Sequence, residues 1–182
     1  MLRPPLGVGW DYFQGWNSQY ERMERWFDRL LLRQAEFSLD DRSAHDEFWD
    51  TAFAFFQNAY HLKDWILYDH PTMKQDVEDF IHAEKSLSYC ADLCNGTKHR
   101  EISRRNRVPG HLIGVRQFAP HLPNKQTLHI LGPDGPLRVD ALASQCMECW
   151  KKFVSDNSEQ LGRSANPPPA RESGPGAART PK

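Results

Sequence analysis

Apolar side chains recur at steps of three and four over most of this chain, and that periodicity restricts it to a helical architecture. From Trp16 to about Glu36, the residues Tyr20, Met23, Trp26, Phe27, Leu30 and Leu31 fall in one stripe, with Asn17 or Ser18 suited to cap it. A second, longer helix is expected from near Ser43. Its hydroxyl can accept from free amides, while Asp46 and Glu47 favour the positive end of the helix dipole. Pro71 stops that helix, because the residue before proline is pushed out of helical geometry and His70-Pro71-Thr72 reads as a turn. A third helix is predicted from about Met73 to Asn95, carrying Val77, Phe80, Leu87, Cys90, Ala91 and Cys94 along one side. Asn95-Gly96 is its expected stop, since glycine accepts the left-handed conformation that closes many helices.

The pattern changes between His111 and Arg138. Leu112 to Phe118 alternates, and Thr127-Leu128-His129-Ile130 and Leu137-Arg138-Val139 flank Gly132-Pro133-Asp134-Gly135, which predicts strands around a tight turn. Asp140 then caps a last helix with Leu142, Cys146, Cys149, Trp150 and Phe153 at core spacing, ending near Asn157. The expected fold is mainly α: a helical bundle of about four helices with a small β-hairpin, about 111–139, before the last one. Residues 1–15 read as an N-terminal extension, 16–158 as one domain, and 159–182, with Pro167-Pro168-Pro169 and Gly174-Pro175-Gly176, as a disordered tail.

Composition bounds the function. A chain of 182 residues that is 39% apolar and 12% aromatic can bury a single core. Its formal charge of −1 creates no overall field to attract nucleic acid or membranes, so any such binding needs a local patch. No apolar run reaches the ~18 residues of a membrane span, and the start resembles no signal peptide, so a cytoplasmic protein without a membrane partner is expected. The cysteines pair as Cys90/Cys94 and Cys146/Cys149. All four lie on apolar stripes, where they read as small core residues, so neither a reactive thiol nor a bound metal nor any cofactor is expected. Phosphate-cradling glycine loops, nucleophile elbows and zinc-protease motifs are absent from the sequence.

Two polar clusters interrupt the apolar pattern. On the second helix, Ala52, Phe55, Phe56, Ala59, Leu62 and Ile66 define the buried arc, and Asp50, Gln57, His61 and Asp64 lie opposite. Lys63 projects into the apolar side, where an ammonium must either snorkel outward or meet a carboxylate. His61 and Asp64, three residues apart, share a face and can form half of an acid–base pair; a solvated polar face is the plainer alternative. Asn95, Lys98 and His99 form the second cluster at the end of the third helix. His61 and His99, assisted by Asp64, are the candidate proton-transfer groups for phosphodiester cleavage, provided the fold brings them together. From Lys98 to Arg116 the chain carries Lys98, Arg100, Arg104, Arg105, Arg107 and Arg116 against the single acid Glu101. With Lys63, the first four of these are the candidate phosphate ligands, making RNA or another phosphate-bearing molecule the natural partner. Acids from Asp64 to Asp92 precede this block, so internal charge pairing is the alternative. A homodimer is one assembly open to such a chain.

The segment Phe55-Phe56-Gln57-Asn58-Ala59-Tyr60-His61-Leu62-Lys63-Asp64-Trp65-Ile66, together with Asp92-Leu93-Cys94-Asn95-Gly96-Thr97-Lys98-His99, resembles uncharacterised bacterial helical proteins that share this motif pair. More distantly, the helical arrangement is similar to HEPN domains, which include metal-independent ribonucleases of defence and toxin systems. That resemblance implies an Arg–polar–His string near a helix start. Arg105-Asn106 followed by His111 matches it, although Pro109-Gly110 lies inside the string and departs from the pattern. The resemblance leads to the expectation of an RNA-directed protein; a non-enzymatic interaction module with a structural His/Lys/Asp network is the alternative.

Overall fold

The computed structural model describes residues 15–37, 41–98, 115–118, 127–132 and 135–162. Among them are five α-helices and three strands: α1 (Gly15–Glu36), α2 (Arg42–Asp69), α3 (Lys74–Ala83), α4 (Lys85–Lys98), β1 (Val115–Phe118), β2 (Thr127–Gly132), β3 (Gly135–Arg138) and α5 (Val139–Asp156). Residues 1–14 of the expected extension, residues 111–114 and residues 163–182 of the expected tail lie outside the described residues; Gly15 opens α1, and 159–162 form a turn that buries Leu161.

Among the described residues, α1 and α2 make the most extensive interface. Phe48, Ala52, Phe55, Phe56, Ala59, Leu62 and Ile66 of α2 are buried, which is the predicted arc. They receive Trp16, Tyr20, Met23 and Leu30 of α1, and the Phe27 and Phe55 rings meet with centroids 5.6 Å apart. Gln19 is also buried, its amide donating to the Asn58 carbonyl at 3.0 Å, so the polar group is satisfied inside the seam.

The caps differ from those expected. α2 is capped by Asp41 and not Ser43: its carboxylate accepts from the Ser43 and Ala44 amides at 2.9 and 3.3 Å. α1 starts at Gly15, ahead of Asn17 and Ser18, and the Trp16 amide donates to Asp69 Oδ2 at 2.7 Å. The end of α2 therefore caps the start of α1, an arrangement available only once the helices are antiparallel. Gly15 has φ of 70°, and a Cβ there would lie 2.8 Å from Asp69 Oδ2. Gly15→Ala is expected to cost about 1–3 kcal/mol through backbone strain and loss of this cap. Chemical denaturation measures it, and a loss below about 0.5 kcal/mol would show the cap to be dispensable.

The predicted third helix is two helices. Pro71–Met73 forms a short 3-10 turn after α2, and Glu84 breaks the remainder with extended geometry (φ −91°, ψ 107°). The Glu84 amide closes α3 on the Phe80 carbonyl, its own carbonyl accepts from Ser88, and the Ser88 hydroxyl takes the Ile81 carbonyl. Serine hydroxyls compete for backbone groups in this way. Packing on α5 holds the elbow, with Cys146 Sγ donating to the Ser86 carbonyl at 3.4 Å and Cys149 Sγ to Glu84 Oε2 at 3.6 Å. α4 then passes through the expected stop at Asn95-Gly96 to Lys98. A helical glycine costs only about 1 kcal/mol, so a helix can continue through it.

The strands form one antiparallel sheet in the order β1-β2-β3, with Val115 opposite Ile130 and His129 opposite Arg138. The predicted hairpin is β2–β3, joined between Gly132 and Gly135. Leu128 and Ile130 of β2 are buried. Val139 opens α5 and does not end a strand, and Asp140 sits in the first helical turn paired with Arg138 rather than serving as the cap. α5 buries Leu142, Cys146, Trp150 and Phe153 against the rest, with Phe80 and Phe153 rings 4.9 Å apart, and Leu161 closes this end of the core.

Candidate functional site

Helical periodicity places His61 and Asp64 on one edge of α2 and Lys63 beside them. His61 Nδ1 lies 3.2 Å from Asp64 Oδ2, and Lys63 Nζ lies 3.1 Å from Asp64 Oδ1. The carboxylate thus bridges an imidazole and an ammonium. Lys63 also reaches Glu78 Oε1 of α3 at 3.5 Å and stands 5.1 Å from the centre of the Tyr60 ring. Its side chain is only 14% exposed, so the misfit cation found a carboxylate on its own helix and another on the next. Burial opposes the Lys63 charge, but the Asp64 hydrogen bond and the fields of Tyr60, Asp64 and Glu78 outweigh it and hold the ammonium above its ordinary range.

That direction fixes the sign of a pH dependence. A group whose folded pKa is raised stabilises fully below its unfolded pKa, near 10.4 for lysine, and loses that contribution as pH climbs through the folded value. The stability difference between wild type and Lys63→Met is therefore expected to shift against wild type from about pH 10 upward. Thermal melts of both proteins between about pH 8 and 12 test this; a constant difference would remove the ion pairs from the account.

α4 runs beside α2 in the same direction: Cys90 Sγ donates to the Phe56 carbonyl at 3.2 Å, and Cys94 Sγ lies 3.9 Å from His61 Nε2. A four-residue step on one helix matches a five-residue step on the other, which brings Cys94 beside His61. An ionised carboxylate only accepts hydrogen bonds, so beside one the neutral ring would carry its proton on Nδ1 and face Cys94 with the acceptor Nε2. The His61 side chain is 36% exposed, whereas Cys94 is buried.

Of the other candidates, Asn95 is half-buried on α4. The Lys98 side chain, and all of His99, Arg100, Arg104, Arg105 and His111, lie outside the described residues, as does any approach of His99 to His61. Three features escaped the sequence reading: Cys94 as the partner of His61, Glu78 as the partner of Lys63, and the burial of Asp92 at 3% exposure. Glu78 and Asp92 each left a signal, as acids preceding the basic block, and a carboxylate removed from water, as Asp92 is, demands polar partners.

Burial first, then the Cys146 thiol, push Cys90 well above the ordinary thiol range, so it is a protonated core residue. Among the described residues no three His, Cys, Asp or Glu side chains converge in a way that could hold a metal ion, and no helix is long and apolar enough to cross a membrane. A shallow cleft of about 290 Å³ lies between the end of α1 and the start of α2, lined by Arg33, Glu36, Asp41 and Glu47. It is remote from His61, about 20 Å along α2 from Glu47, and Arg33 is already paired with Glu36 and Glu47 at 2.8 and 3.2 Å.

Compared with known protein families, curated proteins and solved structures, the chain matches none.

Proposed function

We propose that this chain is a cytoplasmic, nucleic-acid-directed protein, a metal-independent HEPN-like ribonuclease of a bacterial defence or mobile-element system. The observation that carries the reading is His61: a half-exposed imidazole oriented by Asp64 and seated against the helix that leads directly into the basic block from Lys98 to Arg116. A neutral imidazole with one nitrogen held by a carboxylate is equipped to accept a proton from a ribose 2′-hydroxyl. His99 is assigned the complementary acid role, and Lys98, Arg100, Arg104 and Arg105 the phosphate contacts. Lys63, held by Asp64 and Glu78, serves to fix the carboxylate.

The test is purified protein on total RNA in the presence of chelator, beside a His61→Ala/His99→Ala double mutant whose melting temperature is measured. Cleavage by wild type that the folded mutant lacks supports the reading. Absence of wild-type cleavage, or equal cleavage by both, ends it. A second reading, a non-enzymatic interaction module, draws on the mutual pairing of His61, Lys63, Asp64 and Glu78. Absence of cleavage together with a large loss of stability in the double mutant would favour it.

A further inference from the structure

Cys94, His61 and Asp64 stand in the order of a nucleophile, its base and the group that orients the base. Sγ to Nε2 is 3.9 Å and Nδ1 to Oδ2 is 3.2 Å. With Nδ1 donating to Asp64, the neutral ring has Nε2 as the acceptor for the thiol proton. Cys94 is 1% exposed beside an imidazole that is 36% exposed, so only small reagents come into question.

We infer that Cys94 is an activated nucleophile, with His61 as its base and Asp64 as the positioning residue, and that the site takes a compact soft electrophile such as an α,β-unsaturated carbonyl or a haloacetamide. With iodoacetamide, the Sγ proton passes to His61 Nε2, the sulfur lone pair forms the S–C bond, and the C–I bond breaks as iodide leaves. Asp64 holds the resulting imidazolium.

The remaining thiols give an internal contrast. Cys90 and Cys146 are both 0% exposed and donate to main-chain carbonyls. Cys149 is more exposed than Cys94, but burial and the neighbouring Glu84 carboxylate push its thiol up. Exposure alone would make Cys149 react first; activation would make it Cys94.

The experiment is timed iodoacetamide labelling of the full chain under native conditions, read residue by residue by mass spectrometry. Cys94 is expected to label about tenfold or more faster than Cys149, and His61→Gln to slow Cys94 by about tenfold or more at an unchanged Cys149 rate. General loosening of the fold would instead speed Cys94. Asp64→Asn is the second variant, read if His61→Gln does not fold, and is expected to lower the same ratio. Faster labelling of Cys149, Cys94 labelling only in denaturant, or a Cys94 rate indifferent to the folded variant would overturn the inference. No RNA is involved, so this outcome is separable from that of the nuclease assay.

Discussion

Phe55→Ala is expected to lower the free energy of unfolding by about 3–5 kcal/mol. Phe55 is fully buried and touches two other rings, Phe27 at 5.6 Å across the α1–α2 seam and Phe56 at 5.2 Å along its own helix. Truncation removes the burial of a large ring and leaves a cavity that rigid neighbours cannot fill. Two helices of 22 and 28 residues meet at this seam, so it relaxes poorly. Urea denaturation gives the value. A loss under about 1 kcal/mol would mean that the seam is plastic and that α1 contributes little to the core. Phe55→Leu should recover much of the loss, because it restores apolar volume without new polar demands.

His61→Gln is expected to reduce RNA cleavage by about 10²–10⁴-fold while leaving the fold intact, the range for removing a positioned general base. Glutamine can still bond to Asp64, so the local structure is retained and the lost property is proton transfer. Asp64→Asn should cost less: it weakens the hold on the ring but leaves the imidazole in place. The comparison is made as single-turnover rates, with melting temperatures alongside. Equal loss of rate and of stability in both variants would point to the structural network. A His61→Gln variant as active as wild type would take His61 out of the chemistry.

How much of this was legible follows from how local each cause is. The α2 arc was readable because Phe55, Phe56, Ala59, Leu62 and Ile66 obey one period and no other face of that helix is comparably apolar. The His61–Asp64 contact was readable for the same reason, as both groups ride on one helix three residues apart. That Lys63 must snorkel outward or meet a carboxylate was readable from its place among apolar neighbours. That Glu78 would help supply it was not, since Glu78 sits on α3 and its position depends on the turn at Pro71. The elbow at Glu84 carries neither proline nor glycine, so the local sequence argued for a continuous helix. Serine hydroxyls and the thiols of α5 tipped the balance.

The caps show the same division. Asp41 caps its own helix from the preceding residue, a local choice that pointed to the right region if not the right side chain. Asp69 caps α1 across 53 residues of sequence. Gly15 is needed there because of a carboxylate that the sequence places at the far end of another helix. The Cys94–His61 contact has the same character, for it depends on α4 running parallel to α2 in one particular register.

By itself, then, the sequence determined the mainly helical class, the buried arc of α2 and most of the α1 stripe, from which the exposed Leu31 departs, the hairpin ahead of the last helix and the polar edge carrying His61 and Asp64. These depend on dihedral preference and periodicity, which act over a few residues. Tertiary structure alone decided where the third helix would break, which carboxylates would answer Trp16 and Lys63, and that a thiol would face the imidazole. Those outcomes turn on angstrom-scale distances between segments far apart in the chain, and only the packing of the core sets such distances.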